Sequence, residues 1–114
     1  MKHVIDAQNK KIGRVASEAA VFLMGKNRTD FERRTAPDVI VEIQNVAHLD
    51  ISERKAEGKE YIRHSEYRGS QKREVLRHYV ARKGHAAVLR RAVEGMLPKN
   101  KLRPIMMKHL IINE

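Results

Sequence analysis

Apolar residues recur along the chain in two rhythms, and the switches between them mark its elements. "HVID" (3–6) is a short apolar run of the kind that makes a buried strand. The following "AQNKK" contains Asn9, a residue able to turn the chain through a left-handed conformation. From Gly13 to Met24 the rhythm becomes helical. Ile12, Val15, Ala16, Ala19, Phe22 and Leu23 share one face, with Arg14 and Glu18 opposite as an i,i+4 pair. Gly25 is the predicted C-terminal stop. "NRTDFERRTAPD" (27–38) is polar, and Pro37 disfavours helix there, so the stretch reads as a connection.

"VIVEI" (39–43) is a β-branched run suited to a central strand. "AHLDI" (47–51) alternates, Leu49 and Ile51 against His48 and Asp50, and predicts another strand. "SERKAEGK" (52–59) has no apolar face and reads as a solvated loop, after which "EYIRH" (60–64) predicts a strand running into "SEYRGSQK". A helix is predicted over 72–83, with Val75, Leu76, Tyr79 and Val80 in one stripe and Arg73 and Arg77 projecting together from its flank. Gly84 separates it from a helix over 86–96, whose inner face is Val88, Leu89, Ala92, Val93 and Met96. A short helix near 102–109 has Pro104 in its first turn, and "LII" (110–112) returns to the sheet. Strands alternating with helices predict a layered α/β domain with a largely parallel sheet.

Composition narrows the partner. At 114 residues the chain makes one domain, 1–114, with a modest core. Lys and Arg number 24 against 14 Asp and Glu, a net charge of +10, and residues 52–114 hold almost all the excess. A one-sided positive field costs self-repulsion and fits an anionic partner, phosphate polymers first and anionic membrane next. Against membrane, there is no run of 18 apolar residues, no signal peptide and no lipidation motif. The absence of cysteine removes disulfides, Cys-ligated zinc and thiol catalysis. The expected location is the cytoplasm or the interior of an organelle.

Four stretches carry candidate chemistry. "KKIGR" (10–14) gathers Lys10, Lys11 and Arg14 around a helix N-terminus that attracts phosphate oxygens. The simpler reading of its Gly13 is close packing of helix on sheet. It matches neither dinucleotide nor P-loop spacing, so no nucleotide cofactor is expected. His48-x-Asp50 and His64-x-Glu66, if on strands, each place imidazole and carboxylate on one face. Such pairs bind a divalent metal or act as acid and base, which makes a basic metal-dependent nuclease the competing reading. Nothing in the spacing brings the two pairs together, so no metal site is expected. In "YIRHSEYRGSQK" (61–72), Arg63, Arg68 and Lys72 are phosphate ligands by type, while Tyr61, His64 and Tyr67 suit stacking on unpaired bases. In "EGMLPKNKLRP" (94–104), Met96 and Leu97 finish an apolar stripe and Pro98 stops it. Lys99, Lys101 and Arg103 then follow on a loop with a rigid element at each end, the presentation a shaped phosphate backbone needs. Lys26, Arg28, Arg73 and Arg77 complete the candidate RNA-binding set.

Three of these blocks together resemble a known family. "VIDAQNKKIGRVAS" (4–17), "YIRHSEYRGSQK" (61–72) and "VEGMLPKNKL" (93–102) are similar, in order and spacing, to the large-subunit ribosomal protein L-thirteen family. The resemblance implies a three-layer α/β/α domain whose central sheet, of about four strands, lies between helical layers. It also implies a non-enzymatic protein, without cofactor, that binds large-subunit ribosomal RNA beside neighbouring ribosomal proteins and supports early assembly. Gly13, Arg14, Lys26, Arg63, His64, Tyr67, Gly69, Lys72, Gly95, Pro98, Lys99 and Lys101 are carried over with the motifs. Glu66, Arg68 and Ser70 stand where the family usually has glycine, proline and glycine. Leu102-Arg103-Pro104 replaces Leu-Gly-Arg. The family's N-terminal lead-in and C-terminal tail are not among the 114 residues, so the chain is expected to be a shortened, divergent member.

Overall fold

Two parallel strands organise the chain. The computed structural model describes residues 2–29, 31–32, 34–63, 68–69 and 71–113. Strand β1 (Lys2–Asp6) runs beside β2 (Ile40–Gln44), from Lys2 opposite Ile40 to Asp6 opposite Gln44. Parallel neighbours need a crossover, and helix α1 (Ile12–Met24) supplies it. The chain enters α1 through Asn9 at φ 58° and leaves it through Gly25 at φ 78°. A Cβ on Gly25 would lie 3.1 Å from Pro37 Cγ, so both backbone and packing require glycine there. Strand β5 (Leu110–Ile112) joins the far side of β2, also parallel, giving the order β1-β2-β5.

Period-two alternation sends Ile5, Val41, Ile43 and Leu110 inward, where α1 and α5 (Arg103–Lys108) cover them. The predicted α/β class with a parallel sheet is therefore present. The sheet has three strands rather than about four. On its outer face Val4, Ile40 and Ile111 remain exposed, so among the described residues the helices cover one face, not both. Glu42 at the centre of that face is held by Lys2 Nζ (2.7 Å) and by the side-chain amides of Asn113 (2.7 Å) and Gln44 (3.2 Å).

Several boundaries differ from the sequence expectation, each for a local reason. The expected strand over 47–51 begins instead as a 3-10 turn, Val46–His48, because Asn45 at φ 59° turns the chain as it leaves β2. Only Asp50 keeps strand character, through an isolated parallel bridge to Lys11. The expected loop over 52–59 contains α2 (Glu53–Gly58), capped by the Ser52 hydroxyl, which accepts the Lys55 N–H at 3.3 Å. Residues 72–75 are not the start of a helix. They form β4 (Lys72–Val75), antiparallel to β3 (Glu60–Arg63) in a separate two-stranded hairpin. Arg73 and Arg77 thus sit on different elements, since α3 starts only at Leu76 and runs to Lys83. The Leu76 N–H donates to Lys59 C=O at 2.8 Å, which fixes α3 to the hairpin.

Helix α4 (His85–Met96) packs on α1 through Val88, Leu89 and Val93, all fully buried. Met96 is 42% exposed, contrary to the expectation from spacing, and Leu97 takes the inner position just beyond the helix. The two ends of the α4 stripe should therefore respond differently to truncation. Leu89→Ala should cost about 2–5 kcal/mol, the range for a buried leucine. Met96→Ala should cost less than about 1 kcal/mol, as for a partly solvated side chain. Urea melts of both variants check this, and equal losses would contradict the assignment of Met96 to the surface.

Candidate nucleic-acid interface

The predicted cations fall into three groups, distinguished by what already neutralises them. At the start of α1, Lys11 is committed: its Nζ lies 2.7 Å from the Asp50 carboxylate. Lys10 sits in the field of Asp6, whose carboxyl is held below its ordinary range chiefly by the Asn45 amide and the Gln8 N–H. Arg14 is exposed and makes no ion pair among the described residues, so the expected pairing with Glu18 is not formed. The expected packing role of Gly13 is also not found, because a Cβ there would meet no atom within 4 Å. At the other end of α1, Lys26 follows the Gly25 turn and shares a hollow of about 280 Å³ with Pro98 and Asn100. Arg28 lines a neighbouring hollow with Phe31 and Pro37.

The second group surrounds the hairpin. Arg63, Lys72, Arg73, His78 and Arg82 line one cleft of about 780 Å³, and Glu74 is its centre. Arg82 grips Glu74 with two bonds, from Nε at 2.9 Å and Nη2 at 2.7 Å. His78 Nδ1 lies 2.8 Å from the same carboxylate and Arg63 Nη2 lies 3.8 Å away. Arg73 pairs with Glu60 at 3.7 Å and Arg77 with Glu57 at 3.2 Å. The bonds from Arg82, then those from His78, hold the Glu74 carboxyl down at about 2. Tyr61 is not free for base stacking as expected: it is half-buried against Tyr79, ring centroids 4.8 Å apart, with the Arg91 guanidinium 4.4 Å above its ring. Arg68 is exposed beside Gly69, whose φ of 75° makes the turn. His64 and Tyr67, with Glu66, lie outside the described residues.

The third group is the loop after α4. Its rigidity comes from Asn100, a residue not singled out by sequence. The Asn100 N–H donates to Pro98 C=O at 3.0 Å, and its side-chain oxygen accepts the Leu102 N–H at 3.0 Å. Its own carbonyl accepts the Arg103 N–H at 3.3 Å. Lys99 and Lys101 project into solvent and Arg103 starts α5, none with an ion-pair partner among the described residues. An asparagine between two lysines just after proline was the available signal.

For the nuclease reading, His48 lies on the 3-10 turn rather than a strand, and Asp50 is engaged by Lys11. Among the described residues no three His, Cys, Asp or Glu side chains cluster as metal ligands would.

A basic α/β domain with rigidly mounted, unneutralised cations is the class these features define. The family model described as ribosomal protein L13 matches residues 1–114, and the chain belongs to that family. It is 38% identical over 110 residues to large ribosomal subunit protein uL13m of Schizosaccharomyces pombe, covering 96% of this chain and 70% of that protein. It is equally similar, 38% over 110 residues, to uL13 of Citrifermentans bemidjiense, covering 96% and 77%. To uL13 of Symbiobacterium thermophilum it is 37% identical over 100 residues, covering 88% and 69%. The chain is a ribosomal protein and not an enzyme.

Glu74 generates a pH prediction. Its folded value of about 2 lies below the ordinary 4.5, so its contribution to stability is complete above pH 4.5 and is lost as pH falls towards 2. The melting-temperature gap between parent and Glu74→Gln should be widest above pH 4.5 and shrink towards pH 2. A gap independent of pH in thermal melts would show that the carboxylate charge is not what holds the cluster.

Proposed function

We propose that the chain is a structural constituent of the large ribosomal subunit that binds 23S-type ribosomal RNA through its basic loops and helix ends and supports early assembly of that subunit. Its place is then the ribosome, of the cytoplasm or of an organelle, next to other large-subunit proteins. The observation that carries this reading is the 98–103 loop. Lys99, Lys101 and Arg103 stand on backbone held by Asn100, without any carboxylate to neutralise them among the described residues. Cations carried on a hydrogen-bonded loop backbone suit a folded RNA whose phosphates are fixed in position.

Membership of the ribosomal protein L13 family supports the same reading. Lys26 places a further cation beside the loop, in a hollow lined by Pro98, Asn100 and Glu32. Arg14, Arg68 and Lys72 add exposed cations without ion pairs among the described residues. Arg63, Arg73 and Arg77 contribute less, because Glu74, Glu60 and Glu57 already offset them.

Binding to protein-free large-subunit RNA should weaken linearly in log–log with salt, by a slope of roughly 0.7–0.9 for each phosphate neutralised. The Lys99→Glu, Lys101→Glu, Arg103→Glu triple variant should lose about three of those contacts and more than tenfold in affinity at 0.1 M salt. Its melting temperature should stay near the parent's, because Lys99 and Lys101 are exposed and half-buried Arg103 stands in the first turn of α5, where a carboxylate is favourable. Filter binding and thermal melts in one buffer check both halves. Unchanged RNA affinity would mean these cations face solvent.

A further inference from the structure

Two helical glycines have no internal reason to be glycine. Gly13 lies in the first turn of α1 and Gly95 in the last turn of α4, and among the described residues a Cβ built on either meets nothing within 4 Å beyond its own helix backbone and adjacent residues. Neither has the positive φ that accounts for Gly25, Gly69 and Gly84. Glycine in a helix is less favourable than alanine. What the two share is a groove of about 520 Å³ between the start of α1 and the end of α4, which both of them line. Ser17 Oγ and Met96 Sδ lie 3.5 Å apart where the two helices run side by side.

The groove is cationic. Lys55 of α2, Lys59 just beyond it and Arg91 of α4 reach it, and none makes an ion pair among the described residues. The Arg91 guanidinium carbon lies 4.4 Å from the Tyr61 ring centroid and 5.8 Å from that of Tyr79, and cation–π contacts of this kind leave N–H donors for an anion. The acid on its wall, Glu60, is turned to Arg73 at 3.7 Å. We infer that this groove seats one strand of the RNA, its sugar–phosphate backbone crossing Gly13 and Gly95 where Cβ atoms would otherwise stand, with phosphates on Lys55, Lys59 and Arg91.

This inference rests on the RNA-binding reading above and names a place for it that the basic loop does not include. Cations on two separate elements along an open groove match a chain of repeated charges. The apolar side of Met96 offers a wall to the sugars. Close approach to helix backbone is what the missing Cβ atoms permit, and a bulky polymer backbone needs it more than a flexible acidic side chain does.

The test compares Gly13→Ala, Gly95→Ala and, as a control, Gly58→Ala. Gly58 is also helical with open space around its Cβ position but does not line the groove. All three variants should fold, with melting temperatures at or above the parent's. Affinity for protein-free 23S-type RNA should fall at least tenfold for Gly13→Ala and Gly95→Ala and stay unchanged for Gly58→Ala. Unchanged affinity in the two groove variants, or an equal loss in the control, would overturn the groove. If the loop triple variant loses RNA while the groove variants keep it, only the groove assignment fails. A parent that does not bind RNA overturns the general reading as well. Displacement of the RNA by polyglutamate at matched charge would assign the groove to an acidic peptide and overturn it for RNA.

Discussion

Helix α1 is a narrow, alanine-lined layer between the sheet and α4, and the groove and the surroundings of the basic loop follow from how thin it is. Ala16, Ala19 and Ala20 are almost wholly buried, together with Val15 and Leu23. Alanines let a helix touch packed neighbours on more than one side, and larger side chains would force the layers apart. The start of α1 then meets the end of α4, where Ser17 touches Met96. Its other end delivers Lys26 to the hollow shared with Pro98 and Asn100. One buried helix therefore sets both the groove and the neighbourhood of the basic loop.

The molecule is thin in consequence. Its extents are 45 × 36 × 19 Å and its radius of gyration is 15.2 Å, against about 13 Å for a compact domain of this length. From the sheet, packing proceeds outward through α1, α4 and α3 to the hairpin, each element resting mainly on the one before it. A slab of this kind has much surface for its core. A thin core of this kind leaves few layers behind each buried side chain, so one such as Leu89 is expected to matter to the whole fold.

Elements with a long one-sided pattern were legible in the sequence. Helices α1 and α4 each repeat their apolar face over three turns, and β1, β2 and β5 are short apolar runs between polar turns. Short elements were not, because tertiary pairing decides them. Helix α2 has no buried residue, so only its Ser52 cap distinguishes it from a loop. Strand β4 runs straight into α3, and Val75 and Leu76 satisfy both rhythms, so only pairing with β3 separates them. The alternation of "AHLDI" misleads because Asn45 bends the chain before a ladder can form. Met96 has helical spacing but belongs to the final turn, beyond the layer that Leu97 closes.

The candidate site was legible as charge but not as available charge. Composition counts Arg63 and Lys99 alike, yet Arg63 has Glu74 beside it, eleven residues on, and Lys99 has no such neighbour among the described residues. The same holds between Lys11, tied to Asp50 across the fold, and Arg14, three positions later and unpaired. Acids are thus spent where cations also build structure: Glu74 gathers Arg63, His78 and Arg82 and so joins the hairpin to α3. Where the backbone itself supplies rigidity, as Asn100 does in the loop, no acid is needed and the positive field is left whole. The net charge of +10 is therefore not a uniform surplus. In the 98–103 loop hydrogen bonds rather than salt bridges hold the backbone that carries the cations, and an approaching polyanion has no ion pair to displace there among the described residues.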